Sequence, residues 1–222
     1  MTLHRRIAVI GLVLGPLTFA VSDLLRRLVE PGGAAGPAQT AAAVHQHPSL
    51  WLLAGTLSLV SPILFLPGIV AAVGLVRGRG RGITTVGSYL FGAGLVAAMG
   101  HMVGFFGLFG LYDRAGIPDS ALRALDAASE RYPSLVGLIV LFVAGLVLGQ
   151  LLLMVGLRRA GVVPTWAVVA CVVEIVTGTT GGLTAGLVGL LAWVAAFVPV
   201  ARTVHRAGAD TAPVVAGEAV AA

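Results

Sequence analysis

The sequence predicts an all-α fold, a polytopic transmembrane helix bundle of about six spans. Three observations predict it. Of 222 residues, 58% are hydrophobic and 10% charged, and mean hydropathy is +1.00. An average soluble domain is about 25% charged, so the composition argues against a water-soluble fold. The apolar residues form runs long enough to cross a hydrocarbon core of ~30 Å. The basic residues, 14 arginines and no lysine, gather in the connections between those runs. The absence of lysine fits a GC-rich genome and carries no mechanism.

The spans follow in order. Residues 7–25 follow the basic Arg5 and Arg6. A basic start, an apolar run and Ala20 also suit a cleaved signal peptide. A retained first span is preferred, because basic flanks alternate only if it is counted. Residues 26–48 read as a Gly/Ala/Pro-rich connection holding His45 and His47. Residues 50–76 form the second span, with Pro62 and Pro67 inside it; two prolines free backbone carbonyls and are tolerated only against neighbouring helices. A tight loop with Arg77, Arg79 and Arg81 leads to a third span at 83–112, too long to stand upright. Residues 119–131 have the spacing of a short surface helix, with Leu122 and Leu125 on one face. The remaining spans are 135–157, 166–177 and 183–201, with a turn at 178–182 by composition. Residues 1–207 thus read as one bundle, and the Ala/Gly-rich 208–222 as a disordered tail.

Arginine counting orients the bundle. With the N-terminus inside, inner segments hold Arg5, Arg6, Arg77, Arg79, Arg81, Arg158, Arg159, Arg202 and Arg206. Outer segments hold Arg26, Arg27, Arg114, Arg123 and Arg131. Both termini are expected to be cytoplasmic in a multi-pass protein of the cell membrane, and the Arg26-Arg27 pair is the local violation. A net charge of +5 would suggest nucleic acid in a soluble protein. Here it reads as topology, and no nucleic-acid partner is expected. Pro48-Ser49-Leu50 and Pro133-Ser134-Leu135 each open a span that closes on Val-Gly-Leu, a faint repeat of two hairpins. Glycines four apart, at Gly11/Gly15, Gly100/Gly104, Gly145/Gly149 and Gly178/Gly182/Gly186, predict close helix packing.

An ionisable group within a span costs about 2.5–3.5 kcal/mol on insertion scales, so each demands a reason. Glu174 lies eight residues past Trp166, roughly 12 Å along the axis. Positions three, four and seven away are Ala167, Ala170, Cys171, Thr177, Gly178 and Gly181, while the opposite face is all Val and Ile. Small residues go to helix contacts, so Glu174 points into the bundle. A desolvated carboxyl there is expected to hold its proton at neutral pH. It then serves either as an acid or as an interhelical hydrogen-bond donor. His101 shares a face with Ala97, Ala98 and Gly104, again inward; its plain reading is a neutral ring bonded to a carbonyl. Asp23 precedes Arg26 and Arg27 by three and four residues. It reads as an interfacial ion pair, or as one wall of a pocket shared with His101. His45 and His47 are a weak metal pair. A single Cys171 excludes a Cys-based metal site. Only His101 among the histidines lies within a span, against the pairs that a di-haem membrane cytochrome needs. No cofactor is expected.

The stretches Gly11-Leu-Val-Leu-Gly-Pro-Leu with Asp23 downstream, His47-Pro48, and Arg158-Arg-Ala-Gly-Val-Val-Pro-Thr-Trp166 resemble a large group of small six-span integral membrane proteins of high-GC actinobacteria. That resemblance implies architecture rather than activity. In size and in its intramembrane acids Glu174 and Asp23 the chain is also similar to integral membrane terpene cyclases, which protonate an isoprenoid alkene or epoxide. That likeness implies Glu174 as general acid, with Asp23 or His101 stabilising a cation or taking the last proton. The partners expected are the lipid bilayer and a lipophilic small molecule. Two other classes stand beside this one: a proton-coupled transporter with Glu174 as relay, and an accessory protein without chemistry.

Overall fold

The computed structural model describes residues 2–31 and 36–207. The tail expected at 208–222 lies outside them. The described chain is all-α. Helix α1 is Leu3–Val29, α2 Pro37–Gln46, α3 Pro48–Gly74, α4 Arg81–Ala115 and α5 Asp119–Ser129. Then come α6, Pro133–Arg159, α7, Thr165–Thr179, and α8, Leu183–Arg206. Five of these (α1, α3, α4, α6 and α8) are long and apolar enough to cross a membrane. The chain is a helical membrane protein.

The sixth expected span, α7, has 15 residues, about 22 Å at 1.5 Å per residue. That is short of a full crossing. Helix α2 falls within the stretch read as an irregular connection. Pro37 starts it and Ala41, Ala42 and Ala43 continue it, a composition with high helix propensity despite its glycine-rich flank. The short helix expected at 119–131 is α5. In the candidate repeat, α3 and α6 have 27 residues each, but the helices that follow them have 35 and 15.

Helices α1 and α3 run antiparallel along a small-residue seam. A Cβ on Gly11 would strike the carbonyl of Leu64, and one on Gly15 the ring of Phe65. Ser61 donates to Gly15 O at 2.8 Å and Ser22 to Ala54 O at 2.7 Å, which fixes the register. Helices α4 and α6 form a second antiparallel seam: Gly94 against Gly145, Gly87 against Leu153, and Gly156 against Thr84. Close backbone approach supplies dispersion contacts where lipid offers no hydrophobic drive. Helix α8 packs on α1 and α7 and delivers Trp193 and Phe197 to a core completed by Phe65 and Phe91. A second cluster, Val44, Trp51, Phe106, Phe109 and Leu122, fills the end of the bundle that carries α2 and α5.

Candidate functional site

Glu174 sits on α7 and is 8% exposed, with Ala167 and Cys171 fully buried on the same face; Val169, Val172 and Val176 face outward. Its partner comes from α6. Between Gly145 and Gly149 that helix takes a π-helical turn, a widening that re-aims the residues after it. Gln150 follows immediately. It is fully buried, and its Nε2 donates to Glu174 Oε2 at 2.8 Å. Its Oε1 has no hydrogen-bond partner among the described residues. The amide also lies beside the Cys171 thiol. One carboxyl oxygen of Glu174 is thereby pinned by a neutral donor.

Glu174 also lines a cavity of about 270 Å³ with Asp23, Arg26 and Thr177. Most of the wall is apolar, and Phe19, Phe142 and Trp193 supply its aromatic surfaces. Phe19 and Trp193 stand 5.5 Å apart, centroid to centroid. Thr177 Oγ1 is turned back onto its own helix, donating to the carbonyls of Val173 and Glu174. The volume is just below the roughly 300–1,000 Å³ usual for small-molecule sites.

Asp23 is tied down on both oxygens. Oδ1 accepts from Arg26 Nε at 3.2 Å and from its terminal nitrogen at 2.9 Å; Oδ2 accepts from Arg27 Nε at 2.6 Å. Arg27 is 2% exposed. Its guanidinium donates to the carbonyls of Thr177 at 3.0 Å and Gly182 at 3.1 Å, and also to that of Thr180. The Thr177 and Thr180 carbonyls lie at the C-terminal end of α7, where a helix runs out of intrahelical donors, and that of Gly182 lies at the start of α8. The positive φ of Gly182, +91°, is open to glycine at little cost and lets the turn present its carbonyl to Arg27. Arg27 is therefore the cap that lets α7 stop short, and its charge complements the negative end of the helix dipole. Arg27 is thus a buried structural group rather than a solvated one.

Asp23 and Glu174 thus line one cavity. They come together because α7 ends at Thr179, five residues beyond Glu174, and its end packs on the Arg27 of α1. His101 lies elsewhere. Its ring stacks 5.1 Å from Phe142 and 6.2 Å from Phe105, and it lines a separate cavity between α4, α5 and α6. Phe142 lines the Glu174 cavity and stands between it and His101. The carbonyl bond expected for His101 is not made among the described residues. His45 Nδ1 sits 2.5 Å from Asp113 Oδ1. Among the described residues no group of three or more His, Cys, Asp or Glu is placed to hold a metal ion.

Sequence reasoning missed Gln150 and the role of Arg27. A polar side chain within an apolar run was the available signal for Gln150. Comparison of the chain with protein-family models, with curated proteins and with solved structures finds no match.

Proposed function

We propose that this chain is an integral membrane enzyme that acts on a lipophilic, isoprenoid-type substrate by acid catalysis from Glu174. The observation that carries the reading is a buried carboxyl with one oxygen held by Gln150, opening onto a small aromatic-walled cavity. An apolar pocket keeps a carboxylic acid able to donate a proton, and it shields a cationic intermediate from water. The faces of Phe19 and Trp193 offer cation–π stabilisation there.

The step balances on Glu174 alone. Its carboxylic acid protonates one carbon of a substrate alkene and leaves a carbocation and a carboxylate. The cation rearranges or closes a ring. The Glu174 carboxylate then removes a proton from a neighbouring carbon, forming a new alkene and restoring the acid. The net reaction is an isomerisation or cyclisation with no co-reactant. Asp23 serves as a positioning residue: both its oxygens are committed to arginines, and its charge offsets the guanidiniums that border the cavity. His101, behind Phe142, takes no part in that step.

The cell membrane is the proposed location, with both termini cytoplasmic. Setting Arg27 aside as buried sharpens the arginine asymmetry to nine against four. A second reading is favoured by the Gln150–Glu174 hydrogen bond itself: an interhelical pin in an accessory protein without chemistry. Glu174→Gln separates the two, since an amide keeps a hydrogen-bonding group but not an acid. In membranes supplied with a prenylated alkene, the enzyme reading predicts product from wild type and at least a hundredfold less from the variant, at unchanged protein yield. Equal product from both would leave the pin.

A further inference from the structure

A groove of about 610 Å³ lies between α4, α5 and α6 and takes no part in the chemistry at Glu174. We infer that it binds a single-chain membrane amphiphile with a cationic head, the chain directed toward His101 and the head at Asp126 and Glu130. It is an open groove, with Leu108, Tyr132, Leu135 and Ile139 exposed along it, and a mostly apolar concavity of this size with a few polar groups at one end has the make-up of a small-molecule site.

The distribution of polar groups sets the ligand's shape. Phe105, Leu108, Leu135 and Ile139 make an apolar middle. His101 marks the end away from α5; it makes no hydrogen bond among the described residues and stacks on the rings of Phe105 and Phe142. The other polar lining residues gather at the α5 end: Asp126, Ser129, Glu130 and Tyr132. Neither carboxylate forms an ion pair among the described residues, and no arginine lines the cavity. The mouth is therefore negative and unpaired. His101 and Phe109, which lies under α5, are eight residues apart on α4, roughly 12 Å, room for an alkyl or prenyl segment. Gly104 lines the same space, and a Cβ there would meet nothing within 4 Å. The cavity can thus be filled by substitution without straining the fold.

The test uses the full chain in phosphatidylcholine nanodiscs. The probe is dodecyltrimethylammonium carrying a diazirine in its chain; a dodecyl sulfate with the same diazirine serves as the anionic counterpart. After illumination, labelled peptides are mapped by mass spectrometry. Saturable labelling of residues 100–109 and 132–139 is expected, at about tenfold lower concentration for the cationic probe. The exposed pair Asp126→Asn and Glu130→Gln should erase that preference, and Gly104→Phe should abolish the labelling. Equal labelling by both heads, labelling that does not saturate, or labelling undiminished by Gly104→Phe would overturn the assignment.

Discussion

The two flanks of α6 solve opposite problems. On the α7 side, polar groups are many and almost all are satisfied: Arg27 closes three carbonyls and one carboxylate, Gln150 holds Glu174, and the remaining space is about 270 Å³. On the α5 side, polar groups are few and near the surface around about 610 Å³: Asp126, Glu130 and Tyr132 are exposed, and Ser129 donates to its own helix. The difference teaches how to separate structure from function here. In a low-dielectric interior, unsatisfied groups are expensive, so the buried network can serve the fold alone, whereas the exposed carboxylates at the rim of an open groove cost the fold little and are available to a ligand. Glu174 is the residue that belongs to both descriptions. One of its oxygens is part of the network, and its carboxyl borders a cavity.

The contrast is sharpest in stability. Arg27→Ala strips the cap from α7 and leaves Asp23 with one partner fewer. The carbonyls and Asp23 lose a charged donor, a hydrogen bond to a charged group being worth about 1.5–3 kcal/mol. The expected result is loss of most folded protein in detergent, read by fluorescence-detected size exclusion and thermal unfolding. Arg27→Lys should recover only part of it, because an ammonium cannot reproduce the fork. Wild-type stability in Arg27→Ala would mean that α7 finds another cap.

The next contrast uses one residue type on one helix. Gly94 faces the Gly145 backbone with no room for a Cβ, whereas Gly104 faces open cavity. Gly94→Val should destabilise by about 1–3 kcal/mol through overpacking. Gly104→Leu should shift stability by less than about 0.5 kcal/mol. Equal melting shifts for the two would erase the distinction between seam and cavity.

Much of this was legible in the sequence. Hydropathy alone located the bundle, since bilayer thickness fixes run length. The inward face of Glu174 was legible because small and branched residues alternate around it at helical spacing. Three features were not. Counting arginines assigns every one to solvent and gives no sign that Arg27 is a buried cap. Helix α2 hid in a stretch whose Gly and Pro flanks outweigh its alanines. The separation of His101 from Glu174 depends on which side of Phe142 each helix face meets. That angular relation is set by the α4–α6 seam and leaves no mark on any single helix.

Smaller effects refine the comparison further. Gln150→Leu removes the neutral donor from Glu174 and should cost about 1–2 kcal/mol, the penalty of a buried acceptor left unpaired. It should also reduce turnover, because the carboxyl is no longer held. A melting temperature unchanged from wild type would remove Gln150 from the network. His101→Phe loses no hydrogen bond and keeps the stacking with Phe105 and Phe142. A change below about 0.5 kcal/mol is expected, with turnover at Glu174 intact. Loss of turnover in that variant would join the two cavities into one site.

The central claim is that Glu174 delivers a proton to carbon. Solvent deuterium tests it most directly. Membranes containing the wild-type chain, supplied with a prenylated alkene in deuterium oxide, should yield an isomerised or cyclised product carrying one carbon-bound deuterium from the initial protonation. Glu174→Gln membranes should yield none. A deuterated product of equal abundance from Glu174→Gln would contradict the account.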